Sequence, residues 1–150
     1  GLGYFVIQDI YRVEAQLIKD PKPDTLVLMG TKGEQTRDRL VRVGKLRFKL
    51  QDRPYELAAF DYLDKDEGIY FVPFYDLTTG VSTYGGGRYL EVEKGNDLIV
   101  DFNEAYNPYC VYNDSYLCPL PPRENKLNLE VRAGELDYRY AEQASSTPSP

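Results

Sequence analysis

Histidine does not occur in this 150-residue chain. Its absence removes the commonest general base near neutral pH, the commonest nitrogen ligand for transition metals, and every Ser-His or Cys-His nucleophile pair. Tryptophan is missing as well, and Cys110 and Cys118 are the only cysteines. Two Cys would need carboxylates to complete a tetrahedral zinc site, so no metal site is expected. No stretch approaches the ~18 apolar residues of a membrane span, and a membrane is not an expected partner. Positive charge is in deficit: 18 Lys and Arg face 24 Asp and Glu, for a net charge of −6. Phosphate contacts need clustered cations, so nucleic acid is not an expected partner either. The one dense basic stretch, residues 37–49, alternates its charges with Val, Leu and Phe, as the wet face of a strand does.

What is present points to a β-rich fold. The apolar share of 42% and charged share of 28% suit a packed chain rather than a disordered one. Alternating or short β-prone runs recur at 11–17, 25–29, 39–43, 46–50, 55–60, 69–74, 88–93, 98–102 and 127–131. Leu46, Phe48 and Leu50 would share one strand face. Turn signals recur roughly every ten residues, the rhythm of an all-β chain. Residues 34–40 suit either a short helix or an exposed hairpin. The reading is an all-β fold, an antiparallel barrel or sandwich (split-barrel-like in one version) with long irregular loops. It forms a single domain over 1–141, followed by a disordered Ser/Thr/Pro-rich tail at 142–150.

Chemistry concentrates between Tyr70 and Glu135. Thr83-Tyr-Gly-Gly-Gly-Arg-Tyr-Leu90 places Gly85, Gly86 and Gly87 beside Arg88, with Tyr84 and Tyr89 flanking them. Successive glycine N–H groups can form an anion-binding concavity that an Arg fork completes. The same glycines could equally permit a bend, with Arg88 paired to a carboxylate. The loop is neither a Walker loop nor a dinucleotide fingerprint, because strand rather than helix follows it. Asp101, Asn103, Glu104 and Asn107 bring four oxygen-bearing side chains into seven residues, but without the spacing of a calcium loop. Such residues also cap turns. Fourteen tyrosines and no tryptophan favour a polar-lined interior or cleft. Cys110 and Cys118 enclose seven residues and are read as structural, bridged or free. Pro119-Leu-Pro-Pro122 reads as an extended strap packed across the domain.

Several long motifs carry a family resemblance: FVPFYDLTTG, TYGGGRYLEVE, Val100-Asp-Phe-Asn103, AYNPYC, CPLPPREN and VRAGE. Together they resemble the bacterial and archaeal DUF1684 domain of unknown function, over about residues 1–140. The resemblance carries over no established reaction and no agreed catalytic residues, and it leaves the cofactor unknown. It does imply a cytoplasmic protein with reduced thiols and an amino end trimmed relative to other members.

The leading expectation is a binding domain that takes a small anionic ligand in a Tyr/Asn/Arg-lined cleft. Its expected site residues are Tyr84, Gly85, Gly86, Gly87, Arg88, Tyr89, Asp101, Asn103, Tyr106 and Asn107. One alternative is a His-independent enzyme, in one version a flavin-dependent oxidoreductase, with Asp76, Asp101, Glu104 or Glu124, or a Tyr near Arg88, as the acid or base. The other is a structural or interaction module whose polar run only specifies the fold.

Overall fold

A computed structural model describes residues 3–21, 27–32, 36–112 and 116–140. The expected tail at 142–150 lies outside the described residues. Eight strands form one antiparallel sheet: β1 (Arg12–Lys19), β2 (Val27–Lys32), β3 (Thr36–Leu50), β4 (Arg53–Tyr62), β5 (Ile69–Phe74), β6 (Arg88–Glu93), β7 (Leu98–Asp101) and β8 (Tyr116–Leu117). The main path runs β6-β5-β4-β3-β1-β7, while β2 pairs with β3 and carries β8. The two ends of that path, β6 and β7, come side by side, so six strands make a nearly closed barrel. Two runs expected as separate strands, 39–43 and 46–50, belong to the single strand β3, which bends at a bulge between Arg42 and Gly44. Residues 36–40, open between helix and hairpin in the sequence, are the start of that strand.

Alternation along the strands fills the barrel. Leu46, Phe48 and Leu50 point inward and are buried, whereas Lys45, Arg47 and Lys49 are exposed. Leu57, Ala59, Val72, Phe74, Leu90, Val92, Leu98 and Val100 join them in one core. Each large side chain there stabilises the fold by about 1.5–3 kcal/mol through apolar burial. A second apolar layer covers the outside of the same sheet. Leu40, Ala58, Phe60, Phe71 and Tyr89 meet Tyr106 and Cys118 there. β4 and β5 are therefore buried on both faces, and Leu57-Ala-Ala-Phe60 and Phe71-Val-Pro-Phe74 read as unbroken apolar runs.

Residues 127–131, expected as a final strand, form none. Leu127 and Val131 are buried under the barrel with Phe102, Ala105 and Ala133, and their alternation reflects that burial rather than a ladder. Isolated long-range main-chain bonds hold the segment to the loop after β5: Leu127 N–H donates to the Tyr75 carbonyl at 2.8 Å and Leu77 N–H to the Leu129 carbonyl at 3.0 Å.

The strap before this segment repairs a gap in the sheet. β4 and β5 are in register at Phe60 and Phe71, so Ala58 stands opposite Pro73, which has no N–H to give. The side chain of Asn125, fully buried, fills the position. Its Oδ1 accepts the Ala58 N–H at 2.7 Å, and its Nδ2 donates to the carbonyls of Ala58 and Pro73 at 3.0 and 2.8 Å. An unpaired backbone group in that place would carry the full cost of burial without a partner.

Candidate functional site

Residues 75–87 connect β5 to β6 and fold back on themselves around one buried carboxylate. Asp76 accepts hydrogen bonds from the Thr78 hydroxyl at 2.8 Å, the Thr79 hydroxyl at 3.2 Å, and the Val131 N–H at 2.7 Å. The Thr78 and Thr83 hydroxyls lie 2.9 Å apart. Arg88 completes the cluster, with its Nη2 3.5 Å from Asp76 Oδ1 and both side chains at most 1% exposed. The guanidinium also donates to the carbonyl of Val131 at 3.1 Å and to that of Ala133, and it lies over the Phe74 ring at 5.2 Å. Burial pulls its pKa down, against the opposing pull of Asp76. Arg88 is thus inside the barrel, on the same strand face as Leu90 and Val92, and its fork fastens residues 131–133 over the barrel end.

Gly87 explains why this loop needs glycine. Its φ is +89°, and a Cβ there would stand 2.8 Å from both the Phe74 carbonyl and Pro121 Cγ. The loop, β5 and the proline strap meet at this point, so any side chain would force them apart.

In front of the buried cluster opens a cleft of about 700 Å³, lined by Tyr75, Asp76, Leu77, Thr79, Gly85, Arg123 and Lys126. Arg123 and Lys126 flank the clamped Asn125. The turn Arg123–Asn125 is 3-10 and Lys126 is its C-cap, so a spacing of three delivers both cations to the same side. Lys126 is fixed further by its parallel bridge to Tyr75. Both side chains are exposed, and neither has an ion-pair partner among the described residues. Their neighbour Glu124 does not neutralise them, because it pairs with Arg42 at 2.8 Å. Asp76, the one carboxylate of the lining, is turned inward to Arg88 and the threonines. The cleft therefore presents net positive charge in a chain of net charge −6. Gly85 also lines the cleft, and its N–H has no acceptor among the described residues.

Of the ten expected site residues, Gly85 alone lines this cleft. Tyr84 and Gly86 sit beside it, the Tyr84 ring lying against Gly86. Tyr89 is buried in the outer apolar layer and donates its hydroxyl to the Pro119 carbonyl at 2.5 Å. Tyr106 pairs with Tyr89 through the main chain and donates its hydroxyl to Glu91 at 2.9 Å. Asn107 is buried: its amide donates to the Leu136 carbonyl at 3.1 Å and its N–H to Glu135 at 2.7 Å. Asp101 and Asn103 lie elsewhere. Asp101 caps the turn Phe102–Glu104 by accepting the Asn103 N–H at 3.0 Å, and the Asn103 side chain holds the Gln8 main chain. Asp101 and Glu104 face a smaller acidic recess of about 220 Å³ beside β6 and β7. The described residues contain no cluster of metal-ligating side chains.

Cys110 and Cys118 form a disulfide that ties the turn Tyr109–Val111 to the start of the strap. This corrects the reduced thiols that the resemblance implies.

Sequence reasoning missed Arg123, Lys126 and Asn125. The available signals were Pro73, whose strand position demands a foreign hydrogen-bond partner, and two cations spaced by three after the prolines.

No helix among the described residues is long and apolar enough to cross a membrane. No curated protein matches the chain. A solution NMR structure of an uncharacterized protein from Haloarcula marismortui is similar, with 38% identity and a TM-score of 0.74. That match covers 89% of this chain and 74% of the other. The sequence of residues 1–136 matches the family described as protein of unknown function (DUF1684). With the motifs, the barrel and this coverage in agreement, the chain belongs to the DUF1684 family.

Proposed function

We propose that this protein is a binding domain for a small anionic ligand, held in the cleft between residues 75–85 and the strap at 123–126. The observation that carries this reading is the pair Arg123 and Lys126. Two cations without carboxylate partners among the described residues converge on one concave site of an acidic protein, on a backbone fixed by the buried Asn125. Unpaired cations on a preorganised base attract anions at low ordering cost. Gly85 would add a main-chain donor, and Tyr75 and Leu77 would supply apolar contact. In this reading Arg88 does not touch the ligand; it sets the shape of the loop that does. The proposal favours binding over catalysis, because the carboxylate that lines the cleft is committed to holding the fold.

Inorganic phosphate is a suitable first probe. Thermal unfolding at matched ionic strength should shift upward in phosphate relative to chloride, as expected for a ligand that binds only the folded chain. The shift should vanish in the double variant Arg123→Gln/Lys126→Gln. An equal shift in that variant would remove the assignment to this cleft.

A further inference from the structure

We infer that the ligand is a soluble organic phosphomonoester whose body is apolar and flat, an inference that rests on the anion-binding reading above. Charge matching comes first. A carboxylate carries one charge, and a single Arg fork satisfies it. A phosphomonoester carries about −1.5 to −2 with three acceptor oxygens, which suits two unpaired cations and a main-chain N–H. Arg123, Lys126 and the Gly85 N–H supply that donor set, and Asp76, the carboxylate among the described lining residues, is engaged by Thr78, Thr79, Val131 and Arg88.

Size and lining supply the second part. A cleft of about 700 Å³ is far larger than an inorganic anion requires and lies within the range of small-molecule sites. Beyond the cations its wall includes the half-buried Tyr75 and the Leu77 side chain, which is 45% exposed. An aromatic or similarly flat body on Tyr75 would cover that apolar surface while its phosphate stays at the rim. A phosphate headgroup on a lipid shares this chemistry. The net charge of −6 argues for the soluble source, because the protein as a whole is repelled by an anionic surface.

Calorimetric titrations of the full chain with phenyl phosphate, benzoate and inorganic phosphate test this directly. Phenyl phosphate should bind about tenfold or more tightly than either of the others, a difference of one decade in Kd. The variants Arg123→Gln and Lys126→Gln should each erase most of the advantage over benzoate while leaving the melting temperature unchanged. Equal binding of benzoate and phenyl phosphate would overturn the phosphate class alone. Equal binding of inorganic and phenyl phosphate would overturn the apolar body alone. If no probe binds saturably, the anion-binding reading itself fails. Sedimentation with phosphatidylcholine vesicles containing phosphatidic acid should leave the protein in the supernatant, and co-sedimentation abolished by Lys126→Gln would overturn the soluble source.

Discussion

Arg88 and Arg123 belong to the same polar half of the chain, yet one lies inside the barrel and the other on its rim. Arg88 is 1% exposed, meets Asp76, and gives its remaining donors mainly to the carbonyls of Val131 and Ala133. Arg123 is exposed beside a cleft and has no ion-pair partner among the described residues. Both are cations next to unusual backbone, but their surroundings give them different tasks. A buried charge surrounded by protein acceptors specifies a fold, while an unpaired charge on a rigid base is available to a ligand. Under the proposed function the polar run from Tyr70 to Glu135 does two jobs, and they can be separated by mutation.

The largest effect should come from the buried side of this comparison. Arg88→Ala leaves the Asp76 carboxylate buried without its cation and strips two carbonyls of their donor. A stability loss of about 3–5 kcal/mol is expected, read from chemical denaturation. Asn125→Ala should follow at about 3 kcal/mol, since three buried hydrogen bonds of about 1 kcal/mol each disappear together. Because the same residue anchors both cations, this variant should also weaken phosphate binding, which Arg88→Lys at retained fold should not. A variant with Cys110→Ser and Cys118→Ser should lose about 2–3 kcal/mol, the chain-entropy value for so short a loop. At the small end, Arg123→Gln and Lys126→Gln should stay within about 0.5 kcal/mol of the parent while anion binding falls. A large stability loss at Arg123 would erase the distinction between rim and interior.

Alkaline pH probes the outer apolar layer separately. Burial raises the phenols of Tyr89 and Tyr106 well above the ordinary value near 10. Burial and the hydrogen bond to Glu135 push Tyr112 up to about 12. The unfolded chain releases these protons first, so stability is complete below about pH 10 and falls as pH rises through the folded values. Urea midpoints on either side of about pH 10 should show that decline, and Tyr106→Phe should flatten part of it.

Much of the barrel was legible in the sequence because each strand face announces itself by alternation. Leu46, Phe48 and Leu50 are the plain case. The same rule held information about Arg88, which shares parity with Leu90 and Val92 and so faces the core. Its position beside three glycines suggested a ligand clamp instead, and local sequence cannot say which acceptors lie across the barrel. Residues 127–131 mimicked a strand because burial beneath a barrel end produces the same spacing as burial on a sheet. Asn125 left only the indirect trace of a proline at Pro73, because its partners, Ala58 and Pro73, are more than fifty residues away in sequence. The cleft follows from Asn125, so the spacing of the two cations acquires its meaning only with the fold.

The most direct test of the account is an amide NMR titration of the labelled full chain with inorganic phosphate. The account predicts saturable shifts at Gly85, Thr79 and Lys126, with Asp101 and Asn103 unmoved. Shifts centred on Asp101 and Asn103, or none that saturate, would contradict it.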